Sequence, residues 1–213
     1  MKSRVLLVDD DVNVLSAYRR NLRLFFEIET ASSGQEGLEL LKSSLPFAVV
    51  VSDYYMPEMN GIEFLTQVKQ IAPDTVRVML SGQADLQATI EAINEGSIFR
   101  FLYKPCSSEQ LINTIKASVE QYQLIISEKE LLNKTLKGSI QVLVDILSLV
   151  NPQLFSRIAR LPSLTRKIAS RLNYDNIWEI ELAALLCQIG SVTVPKNILD
   201  KLLSGQDLQE EEA

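Results

Sequence analysis

The 213-residue chain contains no histidine. That absence excludes histidine-dependent nucleophile triads, imidazole acid–base catalysis and His-ligated metal sites. Cysteine is almost as scarce. Cys106 and Cys187 stand far apart without C-x-x-C spacing, which speaks against a disulfide framework or a zinc knuckle and fits a reducing, cytoplasmic setting. A basic surplus is also missing: 21 Lys and Arg face 27 Asp and Glu, for a net charge of −6. Phosphate-backbone affinity comes from surplus cations, and no helix-turn-helix with a basic recognition helix is evident, so no nucleic-acid partner is expected. Long apolar runs are lacking too. Val5 to Val8 is too short for a secretory core, and nothing approaches the roughly 18–20 apolar residues of a spanning helix, so no membrane insertion is expected. A GxxxxGK[ST] loop for nucleotide phosphates is absent as well.

What the chain does have is 46% apolar and 23% charged residues, ordinary globular composition in a length that allows one or two domains. Over the first 105 residues, short apolar runs alternate with helix-period segments. The strand-like runs are 4–9, 27–31, 47–53, 75–81 and 98–103. Between them, apolar residues fall at helical spacing: Leu15, Tyr18, Leu22 and Phe25; Leu38 and Leu41; Phe64, Leu65, Val68 and Ile71; Leu86, Ile90 and Ile93. Such alternation predicts an α/β fold, a parallel sheet with helices on both faces. Ala48-Val-Val-Val51 is continuous rather than alternating, as a strand buried on both faces should be.

Ligands of such sheets bind beyond the carboxyl ends of the strands. Strand one ends in Asp9-Asp10-Asp11, strand three in Asp53 and strand four in Ser81-Gly82, while strand five runs into Lys104-Pro105. Each of these alone has a plain explanation as a helix cap, a turn or a solvated charge. Their joint occurrence, each at the proper strand end, points to one site. Clustered carboxylates repel unless a cation lies between them, and a hard divalent ion with oxygen ligands meets that need. One carboxylate can then act as a nucleophile toward phosphorus, with an ammonium and a hydroxyl holding the phosphoryl oxygens.

Residues 1–105 resemble the receiver domain of two-component response regulators, through VLLVDD at 5–10, SDYYMPEMNG at 52–61, LSG at 80–82 and FLYKP at 101–105. The resemblance implies a flavodoxin-like, doubly wound five-stranded sheet of order 2-1-3-4-5. It also implies that Asp53 accepts a phosphoryl group from a sensor histidine kinase or phosphotransfer protein. Asp9, Asp10 and Asp53 would bind Mg²⁺, with the backbone carbonyl of Tyr55 as a further ligand. Ser81 matches the switch hydroxyl, Phe101 the switch aromatic and Lys104 the phosphate-contacting lysine. Phosphorylation would then remodel the face made by the fourth helix, fifth strand and fifth helix. Gln83 and Tyr55 fall where side chains vary among receivers and tune phosphoryl lifetime.

From Ser107 to about Lys137 there is neither Pro nor Gly, which predicts one long helix. With Leu111 as d and Ile115 as a, nine of twelve a and d positions down to Val150 are apolar. The spacing predicts a coiled-coil homodimer with a seam through Leu111, Ile115, Tyr122, Ile125, Leu132 and Leu136, weakened by Ser118, Lys129 and Ser139. An amphipathic helix packed on its own chain would show the same spacing.

Residues 140–213 read as helices at 140–150, 154–172 and 177–188. The string LLCQIGSVTVPKNILDK at 185–201 resembles the HD-GYP family, metal-dependent phosphodiesterases that cleave cyclic di-GMP. Cys187 and Gln188 stand where that family has its His-Asp pair, Ser191 replaces a lysine and Leu154 an early histidine. The implied organisation is a receiver domain (1–106), a signalling helix (107–139) and a helical HD-GYP-like segment without metal ligands (140–213), acting as a non-catalytic output domain. The alternative is the regulatory part of a cyclic-di-GMP phosphodiesterase that continues beyond residue 213.

Overall fold

The computed structural model describes residues 2–82, 98–150, 161–172, 174, 177–186, 194–195, 197–198, 201 and 204–206. The chain divides into two compact units, Met1–Lys129 and Glu130–Ala213. The predicted helix through Leu86, Ile90 and Ile93, together with Gln83, lies outside the described residues, as do Leu154, Cys187, Gln188 and Ser191.

In the first unit, β1 (Arg4–Val8), β2 (Glu27–Ala31), β3 (Val49–Asp53), β4 (Val76–Ser81) and β5 (Arg100–Tyr103) form one sheet of order β2-β1-β3-β4-β5. Every pairing is parallel; Val8 aligns with Ala31 and Ser52, Asp53 with Leu80, and Ser81 with Tyr103. Among the described residues, the helices α1 (Val12–Leu22), α2 (Gly34–Ser43), α3 (Gly61–Ile71) and the first half of α4 (Ser108–Val150) belong to this unit. The period of two along the strands sorts the core into two layers. Val5 and Leu7 of β1 join Val49 and Val51 of β3, Leu15 and Leu22 of α1, and Leu111 and Ile115 of α4. Leu6, Val8 and Val50 join Leu38 of α2 and Phe64, Leu65 and Val68 of α3 on the other side. All five residues of β3 are buried, which is why Val49 to Val51 continue the unbroken apolar run from Ala48 before the strand ends in Ser52 and Asp53. β2 is an edge strand, and Glu27 and Glu29 on it both pair with Arg4 of β1.

Helix starts follow local side-chain chemistry. Asp11 caps α1 by accepting from Asn13 N, and Ser33 caps α2 by accepting from Glu36 N. Asn60 and Glu63 form a reciprocal capping box on α3. Ser107 and Gln110 exchange the same pair of bonds at the start of α4, at 3.0 and 3.1 Å.

Helix α4 runs 43 residues, through Gly138, so the long helix and the helix expected at 140–150 are one element. Its heptad stripe does not serve a single purpose. Leu111 and Ile115 are 1% and 0% exposed within the core of their own unit, and Tyr122 and Ile125 are partly buried against the same cluster. Ser118 is fully buried, its hydroxyl donating to Thr114 O at 2.8 Å, and Lys129 pairs with Asp74 before β4. This corrects the seam: Leu111 and Ile115 are spent on the sheet and unavailable to a partner helix. Of the six seam residues, Leu132 and Leu136 are the exposed ones. The first compact unit accordingly runs on to Lys129 rather than ending at 106.

The second unit contains the end of α4, α5 (Leu161–Arg171) and α6 (Ile177–Leu186). Ile140 and Val144 are buried against Leu161, Leu182 and Leu186, and Arg166 of α5 pairs with Glu181 of α6.

Leu111→Ala and Ile115→Ala should each lower unfolding free energy by about 2–5 kcal/mol, and Leu132→Ala by less than about 0.5 kcal/mol. Urea unfolding of the three variants measures this. Equal losses at all three positions would remove Leu111 and Ile115 from the core.

Candidate functional site

Four strands deliver side chains to the carboxyl edge of the sheet. Chain leaving β1 places Asp9 inward, 3% exposed, where its carboxylate accepts from the Asp11 amide at 3.0 Å. Asp10 stays exposed, and Asp11 is used as the cap of α1. One of the three consecutive acids is therefore structural. Asp53 ends β3, 7% exposed, and Ser81 ends β4, 1% exposed, its hydroxyl donating to Gly82 O at 3.2 Å. Lys104 follows β5, its amide donating to Ser81 O at 2.8 Å, and the Lys104–Pro105 bond is cis.

The Lys104 ammonium lies 2.6 Å from Asp53 Oδ1 and 2.8 Å from Asp9 Oδ2, bridging two buried carboxylates. Carboxylate oxygens of Asp9, Asp10 and Asp53 lie within 4.8 Å of one another. Burial raises the Asp53 pKa, and the Asp9 charge adds to the rise, against the bond and charge of Lys104. Burial pulls the Lys104 pKa down, but its bonds to Asp53 and Asp9 outweigh that and raise it. Lysine thus stays a cation in the site. An all-oxygen donor set on three converging carboxylates suits a hard divalent cation such as Mg²⁺.

The sequence-derived candidates divide by position. Asp9, Asp10, Asp53 and Lys104 converge, and Ser81 ends the strand between β3 and β5. Phe101 sits on β5 opposite Met79, half-buried against the α2–α3 side of the core. Tyr55 is 59% exposed, its ring edge-on to Tyr54 at 4.7 Å.

Two residues went unnoticed in the sequence as contributors. A Cβ on Gly61 would fall 2.2 Å from the Asp53 carbonyl oxygen, so only glycine lets α3 start this close to the acidic residue. Its signal is the Gly that ends SDYYMPEMNG. Tyr18 of α1 places its hydroxyl 4.0 Å from the Cys106 thiol, and burial, then Cys106, push its pKa up to about 12.

A doubly wound sheet whose strand ends gather an acidic cluster, a hydroxyl and a bridging lysine defines the receiver class. The response regulator receiver domain signature matches residues 5–116, more than half of the chain, and the chain belongs to that family. An HD domain follows, matched over residues 141–213. A solved structure of an adenylate cyclase from Rhodopirellula baltica is 44% identical with a TM-score of 0.62, covering 63% of this chain and 99% of that one. The signal receiver domain of an HD domain-containing protein from Pseudomonas fluorescens Pf-5 is 30% identical with a TM-score of 0.55, covering 58% and 98%. Among curated proteins, the hydrogenase transcriptional regulatory protein HoxA of Cupriavidus necator is 36% identical over 119 residues, 56% of this chain and 24% of that protein. The chain spans about a quarter of the length of such relatives. No helix among the described residues is long and apolar enough to cross a membrane.

Because folding raises the Asp53 pKa, the ionised carboxylate costs stability at neutral pH, and the cost fades as pH falls through the raised value toward the unfolded one. Without divalent cation, Asp53→Asn should therefore be more stable than wild type at pH 7, with the difference closing near pH 4. Denaturant midpoints across that range measure it; a gap that widens on acidification would reverse the assigned sign.

Proposed function

We propose that this chain is the phosphorylation-switched component of a two-component system, with Asp53 as the acceptor. The observation that carries the reading is the Lys104 ammonium held 2.6 Å from the Asp53 carboxylate at the sheet edge, beside Asp9 and Asp10. In this reading an Asp53 oxygen attacks the phosphorus of a phosphohistidine on a sensor kinase or phosphotransfer protein. The new O–P bond forms as the N–P bond breaks, leaving the imidazole with its electron pair.

Asp9, Asp10, Asp53 and the Tyr55 carbonyl would hold Mg²⁺. A divalent cation bound there offsets the charge that accumulates between the carboxylates and the phosphoryl oxygens. Lys104 moves its ammonium from carboxylate to phosphoryl oxygen, and the Ser81 hydroxyl turns from Gly82 O toward the same group. That turn draws the end of β4 inward and lets half-buried Phe101 follow, a population shift biased by new contacts to the phosphoryl group.

The output runs along α4 to the HD domain, and the chain works as a homodimer. The HD domain match favours an enzymatic reading of residues 141–213, and the HD-GYP resemblance of residues 185–201 would make that enzyme a cyclic-di-GMP phosphodiesterase. Against it stands the lack of any histidine in the chain, so we assign the segment a contact role. Metal analysis of the purified chain separates the two: tightly bound transition metal would restore the enzymatic reading.

Incubated with Mg²⁺ and acetyl phosphate, wild type should gain one phosphoryl group by intact mass, and Asp53→Asn none. Chelating the Mg²⁺ should reduce uptake at least tenfold. Phosphorylation of Asp53→Asn would refute the acceptor assignment.

A further inference from the structure

On the second unit's part of α4, burial separates two kinds of apolar residue. Ile140 and Val144 are closed over by Leu161, Leu182 and Leu186 of the same unit. Leu132, Leu136, Leu143 and Ile146 remain 63%, 39%, 50% and 51% exposed. Their spacing, with Ser139 at the intervening position, is 4-3-4-3. A 3.5-residue period suits a seam between two helices wound around each other, and here, unlike at Leu111 and Ile115, the chain's own core does not bury it.

We infer that a second copy of this chain covers this stripe, through a seam made by Leu132, Leu136, Leu143 and Ile146 rather than by Leu111 and Ile115. The inference rests on the homodimer reading above and fixes where that dimer is joined. Two further observations favour a second copy as occupant. Val142 and Leu149 flank the stripe, 58% and 82% exposed. At about 100 Å² each, these six side chains present roughly 600 Å², at the top of what monomers expose and near the ~800 Å² per partner of a stable interface. The charges along this stretch, Glu130, Lys134, Lys137 and Asp145, sum to zero, so two copies can align without net repulsion.

The test is sedimentation equilibrium of the full chain, as wild type, as Leu136→Glu/Leu143→Glu, and as Leu131→Glu. Leu131 is 66% exposed but lies off the stripe. Wild type and Leu131→Glu should be dimers, and the double variant should dissociate with a Kd raised at least 100-fold. All replaced side chains are exposed, and circular dichroism confirms that helix content is kept. As a second readout, Ile146→Cys in a Cys106→Ser/Cys187→Ser background should cross-link to a dimer under mild oxidation. A dimer untouched by the double variant and uncross-linked at Ile146→Cys overturns the seam while leaving the dimer. A monomeric wild type at 100-micromolar order concentration overturns both. Acetyl phosphate uptake on the same samples reports separately on the Asp53 reading.

Discussion

A single ammonium group holds the carboxyl edge of this sheet together. Lys104 bridges Asp9 and Asp53, two nearly buried carboxylates brought from different strands, and without a cation there the two would repel in a poorly solvated pocket. Its position is set by the backbone: the amide of Lys104 bonds Ser81 O at the end of the β4–β5 ladder, so the lysine arrives as strand pairing is completed. The neighbouring strand ends therefore depend on one another. Asp53 needs the lysine, the lysine needs β5 in register with β4, and β4 carries Ser81 into the same edge.

The site's tension is chemical rather than steric. Asp53 has a raised pKa from its burial, which is a cost in the free protein and an advantage in a nucleophile, since a poorly solvated carboxylate gains from any group that spreads its charge. Gly61 permits this burial by letting the first turn of α3 close over the Asp53 carbonyl. Asn60 and Glu63 then lock that turn with two reciprocal hydrogen bonds, so the acidic residue sits on a stiff strand and is backed by a stiff helix start.

Much of this was legible in the sequence because it is written in local patterns. Five apolar runs marked five strands, with ends within two residues of those observed, since a strand buried on both faces leaves a continuous Val-Val-Val signature. The strand-end residues marked the site because a parallel sheet sends all its carboxyl ends to one edge. The heptad spacing on α4 marks apolar faces but not what covers each part of them: Leu111 and Ile115 lie in the chain's own core, while Leu132 and Leu136 are exposed. A helix lying on its own sheet and a helix wound on a partner both place apolar residues three and four apart, so spacing alone cannot separate Leu111 from Leu132. Burial separates them, and burial is a tertiary quantity. Gly61 was similarly silent: a glycine needed for close approach looks in sequence like any turn glycine.

The two charges on β2 bear on a different matter. As an edge strand of the sheet, β2 carries amides and carbonyls on its outer side that could template another strand. Its sequence, Glu-Ile-Glu-Thr-Ala, places carboxylates on alternate residues, both anchored to Arg4 on the next strand. A second copy of the same edge laid alongside would bring four carboxylates together against two guanidinium groups that are already engaged. Growth of the sheet from molecule to molecule is discouraged by electrostatics at this edge, which leaves self-association to helices.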